Sequence, residues 1–476
     1  MIKIKSIINN KIFKIGSLSF LATVLTRAIN LIAVPIFSRI LTTSEYGRIE
    51  VFLAYVNIFM IVLGLDIHGT VGKGRLDFPD ENDELLCSGI LMTTISAVSI
   101  SLLINIFFVF LQGLFGLERW LVNIMLLYSY GMFLMSFRSA DYNFSYNYKK
   151  NMRMTASVAV LNLLLSILFI EFIFKRSHVL GRVLGATIPT AICGGVVFIG
   201  YVYRGNYVFK NKYNKYFLEF GIPLIPHNLS HLVLSSSDRV MINSMISSSM
   251  SGIYSLAYTL GMMVQVASEA LNQVFVPWLF KRMQKQEENI IRKAQRLYLL
   301  IYCVVVIGVL TISPELLKII GARQYWDGAK IILWIVFATF LNFTYTLYVN
   351  IEFFYRKTAL ISSGTIMAAL INFCLNYLFL NRYGYYFAAA STVISYMALL
   401  VFHAIIVNFI LKIKFVDGLF VFGVVAVVFG ITVIMQLLLN AIVLRFMIGL
   451  ASEAVFGFLL FMLYKKTGKV LLITEV

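Results

Sequence analysis

Residues 154–174 read MTASVAVLNLLLSILFIEFIF, twenty-one residues with Glu171 as the sole charge. A helix of that length rises about 1.5 Å per residue and so covers the ~30 Å hydrocarbon thickness of a bilayer. The same ruler, moved along the 476 residues, finds fourteen such stretches, at 15–38, 48–66, 85–111, 120–140, 154–174, 179–203, 216–240, 252–279, 293–313, 329–354, 358–380, 385–410, 416–439 and 442–464. None alternates apolar and polar residues in the ~10-residue segments of a membrane β-barrel. In hydrocarbon every backbone amide needs a partner within its own segment, which selects helices. The expectation is an all-α polytopic membrane protein of 12–14 transmembrane helices.

Composition agrees. Sixty per cent of the chain is hydrophobic and 13% charged, with a mean hydropathy of +0.86. A soluble domain carries about 25% charged residues, so a soluble enzyme, a disordered chain and a disulfide scaffold are excluded. The formal net charge is +18. With the amino terminus placed in the cytoplasm, the inner segments hold 27 Lys and Arg and the outer ones 11, with Arg27 and Arg239 inside spans. Positive loops stay on the cytoplasmic side, so both termini are expected there, and little charge is left over for a nucleic-acid partner. The first residues, MIKIKSIINNKIFK, read as a cytoplasmic anchor for the first span, without a cleavable signal peptide. Cys87, Cys193, Cys303 and Cys374 are dispersed and read as apolar packing residues, with no metal-ligand spacing.

A weak repeat is visible. Leu41–Gly47 after the first span matches Ile246–Gly252 after the seventh, Ala54-Tyr55 corresponds to Ala257-Tyr258, and Tyr148-Lys149-Lys150 to Tyr355-Arg356-Lys357. Internal symmetry of this kind marks transporters built from two related bundles. The expected organisation is an N-terminal six-helix bundle (1–203), a basic cytoplasmic linker (204–215), a C-terminal six-helix bundle (216–411) and two additional transmembrane helices with a tail (412–476), the bundles enclosing a central cavity.

Ionisable groups at bilayer depth cost ~2.5–3.5 kcal/mol each, which makes them functional candidates. Arg27 lies about twelve residues from either end of its span, with Thr23, Asn30 and Ser38 on the same stripe. His227, His231 and Ser235 recur at i, i+4, i+8, followed by Asp238 and Arg239 near the far end of that span. Each histidine reads either as a proton carrier or as a satisfied packing residue. Pro223 and Pro226 are expected to bend or break the helix. Gln265, Glu269 and Asn272 share a face, with Glu269 near the span centre and suited to ion coupling. Glu171, Glu352 and His403 lie nearer span ends and read as snorkelling or interface-paired groups; Asn162, Asn342, Asn372 and Asn376 read as lumen-lining or as interhelical glue. No phosphate-cradling loop, metalloprotease motif or nucleophile elbow occurs, and no cofactor, metal or enzymatic activity is expected.

Thr26-Arg27, Phe37-Ser38-Arg39-Ile40-Leu41 and Glu45-Tyr46-Gly47, with Ser237-Asp238-Arg239 and Ser251–Tyr258 opening the second half, resemble the Wzx-type polysaccharide flippases, the O-antigen and repeat-unit exporters. These belong to the multidrug/oligosaccharidyl-lipid/polysaccharide exporter superfamily. The resemblance covers essentially the whole chain and implies movement of an undecaprenyl-diphosphate-linked oligosaccharide from the inner to the outer leaflet of the bacterial cytoplasmic membrane, by ion-coupled alternating access. It also implies a cationic cavity with an arginine in the first helix, a position that Arg27 matches. Substrate-binding candidates are then Arg27, Asn30, His227, His231, Arg239, Gln265 and Asn272, and ion-coupling candidates Glu269 and Asp238. The implied partners are the lipid-linked oligosaccharide, the bilayer, a polysaccharide polymerase and a chain-length regulator. The alternatives are a multidrug or organic-cation antiporter of the same superfamily and a polytopic membrane enzyme of polysaccharide assembly.

Overall fold

A computed structural model describes Ile29 and residues 31–471; Arg27, Asn30 and Thr23 lie outside the described residues. Helices follow one another throughout, and no strand occurs among the described residues. We number the long helices α1 (Leu31–Ile40), α2 (Thr43–Leu63), α3 (Asn82–Ile106), α4 (Arg119–Phe144), α5 (Tyr148–Ile173), α6 (His178–Arg204), α7 (Asn211–Met245), α8 (Ser248–Gly261), α9 (Val264–Gln284), α10 (Glu288–Ile320), α11 (Ala329–Phe354), α12 (Thr358–Tyr383), α13 (Tyr386–Ile410), α14 (Gly418–Leu437) and α15 (Ile442–Leu471). Eleven helices among the described residues are long and apolar enough to cross a membrane. The protein is therefore a multi-pass, all-α membrane protein, as its hydropathy requires.

Two local expectations are corrected. The seventh span, where a bend or a break was expected, is one unbroken helix, α7, with Pro223 and Pro226 inside it; prolines are tolerated in membrane helices where the surroundings re-satisfy the freed carbonyls. The interruption falls in the eighth span instead, between α8 and α9 at Met262-Met263. There Gly261 lets Ile335 of α11 approach so closely that a Cβ would lie 2.6 Å from its side chain. Of the cysteines, Cys87 and Cys303 are buried as expected, Cys193 is half-buried, Cys374 is exposed, and all four are free.

The described residues group into two compact units that divide between Leu232 and Val233. In the first, α6 is the hub, packing on α4, α5 and α3, while α2 packs on α4. The core joins Ile67, Leu85, Ile90, Phe133, Phe137 and Phe217. In the second, α11 and α13 are paired, α12 lies on α13, and α10 holds both α11 and α15. Close packing relies on small residues, as is usual where lipid supplies no hydrophobic drive between helices. A Cβ on Gly185 would sit 2.4 Å from the Ser166 Cα of α5.

The two units share local geometry at matching places. Thr42 caps α2 by accepting from the Glu45 amide, and Ser247 caps α8 by accepting from the Met250 amide. After α4, Tyr146 is left-handed (φ 57°), and after α11 so is Arg356 (φ 57°). The flanking bonds coincide: Asn147 N to Tyr142 O at 2.8 Å, and Lys357 N to Glu352 O at 2.9 Å. Helix ends of this kind satisfy the last carbonyls with a single αL residue.

Candidate functional site

Each unit buries one unusual carboxylate. In the second unit it is Asp238 on α7, only 1% exposed. Its Oδ2 accepts from the Tyr254 hydroxyl of α8 at 2.5 Å and from Thr392 Oγ1 of α13 at 2.8 Å. Its Oδ1 accepts from Asn376 Nδ2 of α12 at 2.6 Å. A second layer holds these donors in place: Ser391 Oγ donates to Asn376 Oδ1 (2.6 Å), and Ser237 Oγ donates to Asn372 Oδ1 (3.1 Å). Four helices thus converge on one acid through neutral groups, and among the described residues no Lys, Arg or His forms an ion pair with it. Sequence reasoning placed Asp238 near the membrane surface and Asn372 and Asn376 as lumen or glue residues; here the two asparagines are buried with the acid. Such a cluster of carboxylate, carbonyl and hydroxyl oxygens suits a proton or a hard cation.

Arg239, the next residue, points elsewhere. Its guanidinium lies over the Tyr258 ring at 4.9 Å, and its carbonyl accepts from Ser251 Oγ at 2.9 Å. On α9, Gln265, Glu269 and Asn272 are half-buried along one side. Glu269 is within electrostatic reach of Tyr302 on α10, and Asn272 Oδ1 accepts from Asn350 of α11 at 3.5 Å.

The first unit's carboxylate is Asp66, in the left-handed turn after α2 (φ 54°) and 1% exposed. Asn228 Nδ2 of α7 donates to its Oδ2 at 2.5 Å, and His68 Nδ1 lies 3.4 Å from its Oδ1. These groups line a cavity of about 220 Å³ with Asn57, Met60 and His231. The predicted His231 lines the same cavity as Asp66, and His227 acts electrostatically on that acid. Asp66 and His68 escaped sequence reasoning because they lie at the margin of a span; the signal present was an Asp-x-His between two glycines, Gly64 and Gly69.

Two further cations lie inside helices, each near the start of its predicted span. Arg182, one turn into α6, donates from Nη1 to Ser166 Oγ at 2.8 Å and covers the Phe37 ring of α1 at 4.4 Å. Arg445, on α15, is completely buried and pairs with Glu315 of α10, and its Nη1 donates to the Leu439 carbonyl at 2.9 Å. Glu352 and His403, read as interface-paired, are likewise fully buried, bonded Oε1 to Nδ1 at 2.8 Å. At the corresponding place between α4 and α6, Asp141 accepts from Tyr201 Oη at 2.5 Å, from Arg138 at 2.7 Å and from Arg75 at 2.6 Å.

Comparison with known proteins places this architecture. The chain is 24% identical to "Lsg locus putative protein 1" of Haemophilus influenzae over 76% of this chain and 89% of that protein. It is equally identical to an "Uncharacterized membrane protein" of the same organism, over 76% and 87%. Its fold is similar to that of the lipid II flippase MurJ in an inward closed conformation (TM-score 0.71, 14% identity, 94% of this chain and 99% of that one). It is also similar to a multidrug resistance MATE family transporter of the MOP superfamily in an inward-facing conformation (TM-score 0.57, 14% identity, 84% and 95%). The family model described as "Polysaccharide biosynthesis protein" matches residues 13–283, more than half of the chain, and the chain belongs to that family.

Proposed function

We propose that the protein is a flippase that carries undecaprenyl-diphosphate-linked oligosaccharide repeat units from the cytoplasmic to the periplasmic leaflet of the inner membrane, by ion-coupled alternating access. Membership of a polysaccharide biosynthesis family supports the substrate class. The observation that carries the coupling is Asp238, a buried carboxylate ringed by neutral donors from four helices. Desolvating a carboxylate costs several kcal/mol. A proton or a monovalent cation offsets that cost, so the acid gains and loses an ion as its surroundings open and close.

The diphosphate end of the substrate calls for cations, which repay its own desolvation through charge-assisted hydrogen bonds. Arg27 is the first candidate and Arg182 a second, since Arg182 covers a residue of α1, the next helix described after Arg27. Asn30, Gln265 and Asn272 suit the sugar hydroxyls, and His227, His231 and Arg239 remain candidates for the polar lining. Both termini are proposed to face the cytoplasm, with 1–203 and 216–411 as the bundles that alternate and 204–215 as their linker. A polymerase and a chain-length regulator would receive the product.

The multidrug-antiporter alternative rests on one observation, the half-buried Glu269 among apolar helices. Purified protein in liposomes carrying a fluorescent polyprenyl-diphosphate oligosaccharide separates the two. The flippase exposes the sugar to an external lectin, Arg27→Ala abolishes this and Arg27→Lys keeps part of it. Full flipping by Arg27→Ala, or ethidium export that is lost in Glu269→Gln with no lipid movement, refutes the proposal.

A further inference from the structure

Asp66 and His68, in the cavity that His231 also lines, have no part in that reading. The cavity lies wholly within the first unit and is lined by Asn57, Met60 and Ile61 of α2, Asp66 and His68 of the following turn, and Asn228, His231 and Leu232 of α7. The titratable groups about Asp66 are His68 from its own turn, His227 of α7, which acts on it electrostatically, and His231 of α7, which lines the same cavity; α2 contributes only neutral lining groups. Two buried polar atoms are left without a hydrogen bond, Asp66 Oδ1 and His68 Nδ1, and they face each other across 3.4 Å. That distance is too long for a good hydrogen bond between nitrogen and oxygen. One additional proton completes the pair: the neutral Nδ1–H tautomer already offers a donor, and the second proton adds the positive charge that draws the ring onto the carboxylate. Meanwhile Oδ2 keeps Asn228. His68 is 28% exposed and Asp66 1%, so the histidine can exchange its proton with water while the acid stays dry.

Three imidazoles around one carboxylate favour a proton over a metal ion. A hard monovalent cation prefers an all-oxygen shell, and among the described residues no cluster of His, Cys, Asp and Glu has the geometry to hold a metal. We infer that this cavity is a proton-binding site in which Asp66 and His68 share one exchangeable proton, with His231 as the neighbouring acceptor. It is separate from the cluster at Asp238. Protonation locks the turn 64–70 by closing the open Asp66–His68 contact, and deprotonation leaves Asp66 tied to α7 alone. Its value to transport rests on the proposed flippase activity; its existence as a proton site does not.

The test is therefore made on the protein itself. The chain has five histidines, so ¹⁵N-imidazole labelling in detergent micelles gives few signals, assigned by single His→Gln variants. The expected result is that His68 titrates between about pH 5 and 8, and that Asp66→Asn lowers its midpoint by about one pH unit or more, a tenfold loss of proton affinity. Asn at 66 still accepts from Asn228, so the turn is preserved while the charge is removed. A His68 midpoint that is the same in wild type and Asp66→Asn overturns the inference, as does a His68 that does not titrate in that range. Should Asp66→Asn not fold, His68→Gln serves: it must shift the His231 midpoint, and an unmoved His231 overturns the proposal. In liposomes the pH optimum of flipping moves with the His68 midpoint. Flipping with an unaltered pH profile in Asp66→Asn rules out a coupling role for the site, whereas absence of flipping in wild type counts against the flippase reading and leaves the titration result standing.

Discussion

Replacing Asp238 with Asn and with Leu separates an acid that holds an ion from one that only ties helices together. Leucine at 238 removes the acceptor from three donors. Thr392 Oγ1 keeps the Ala388 carbonyl at 2.8 Å, and Asn376 Nδ2 keeps Asn372 Oδ1 at 3.3 Å. The Tyr254 hydroxyl loses its carboxylate acceptor and is left with the Thr392 hydroxyl alone. Trading a charged acceptor for weaker neutral ones costs each buried donor about 1 kcal/mol, about 3 kcal/mol for the three. Asparagine is milder: its carbonyl can take Asn376 while the rotatable Tyr254 and Thr392 hydroxyls accept from its amide, at a cost of about 1 kcal/mol. The decisive quantity is the response to the coupling ion. An ion that binds the folded state at a hundred times its dissociation constant stabilises by about 2.7 kcal/mol. Thermal unfolding in detergent, across series of sodium concentration and of pH, should show an ion-dependent gain in wild type that Asp238→Asn abolishes, while its Tm in the absence of the ion stays within a few degrees of wild type. An unchanged gain in Asp238→Asn would refute the reasoning, because the acid would then be no more than a structural acceptor.

Other consequences can be checked in the same preparation. Glu315→Gln should destabilise more than Arg445→Met, by about 3 kcal/mol, since it strands a completely buried guanidinium while the partner acid is 23% exposed; equal midpoints in denaturant would contradict this. Gly185→Ala forces α5 and α6 apart at a backbone contact and should cost about 1–3 kcal/mol, visible as a lowered Tm in a protein that still inserts. The Lys212 ammonium, then the Tyr213 hydroxyl, hold the Glu81 carboxyl below its usual range. A depressed carboxylate stabilises above its unfolded pKa and loses that contribution as pH falls through the folded one. Protection factors at 210–213, which correct for the intrinsic pH dependence of amide exchange, should therefore fall below about pH 4 and change little there in Glu81→Gln.

The sequence carried the helix pattern because a bilayer imposes a length and a polarity that can be read locally. α11 spans 329–354, the limits its hydropathy predicts, and α6 departs from prediction by one residue at each end. What local reading missed depends on distant partners. Nothing around Met262 announces a break, which Ile335 makes possible at Gly261 from 74 residues away. Proline chemistry argued for a bend or a break in α7, and the helix is not broken. Asp238 looked shallow when counted from the start of its span, yet its environment is set by Asn376 and Thr392, 138 and 154 residues later. Asp66 and His68 fell at the edge of a hydropathy window, and their relation to Asn228 and His231 exists only once α7 packs beside the turn. The candidates of α9 were legible as one face because helical periodicity alone puts Gln265, Glu269 and Asn272 together.

The pair between α10 and α15 also constrains how the chain can be made. Glu315 leaves the ribosome 130 residues before the arginine that neutralises it, so α10 enters the membrane with its acid uncompensated. Until α15 follows, that charge is expected to stay near water, which its place close to the end of α10 allows. Assembly of the second unit is thus timed from its carboxyl-terminal end. A chain cut before Ile442 is an unfinished electrostatic pair, open to the membrane proteases that survey unassembled helices. Truncation there is expected to lower the amount of protein in the membrane before it alters transport.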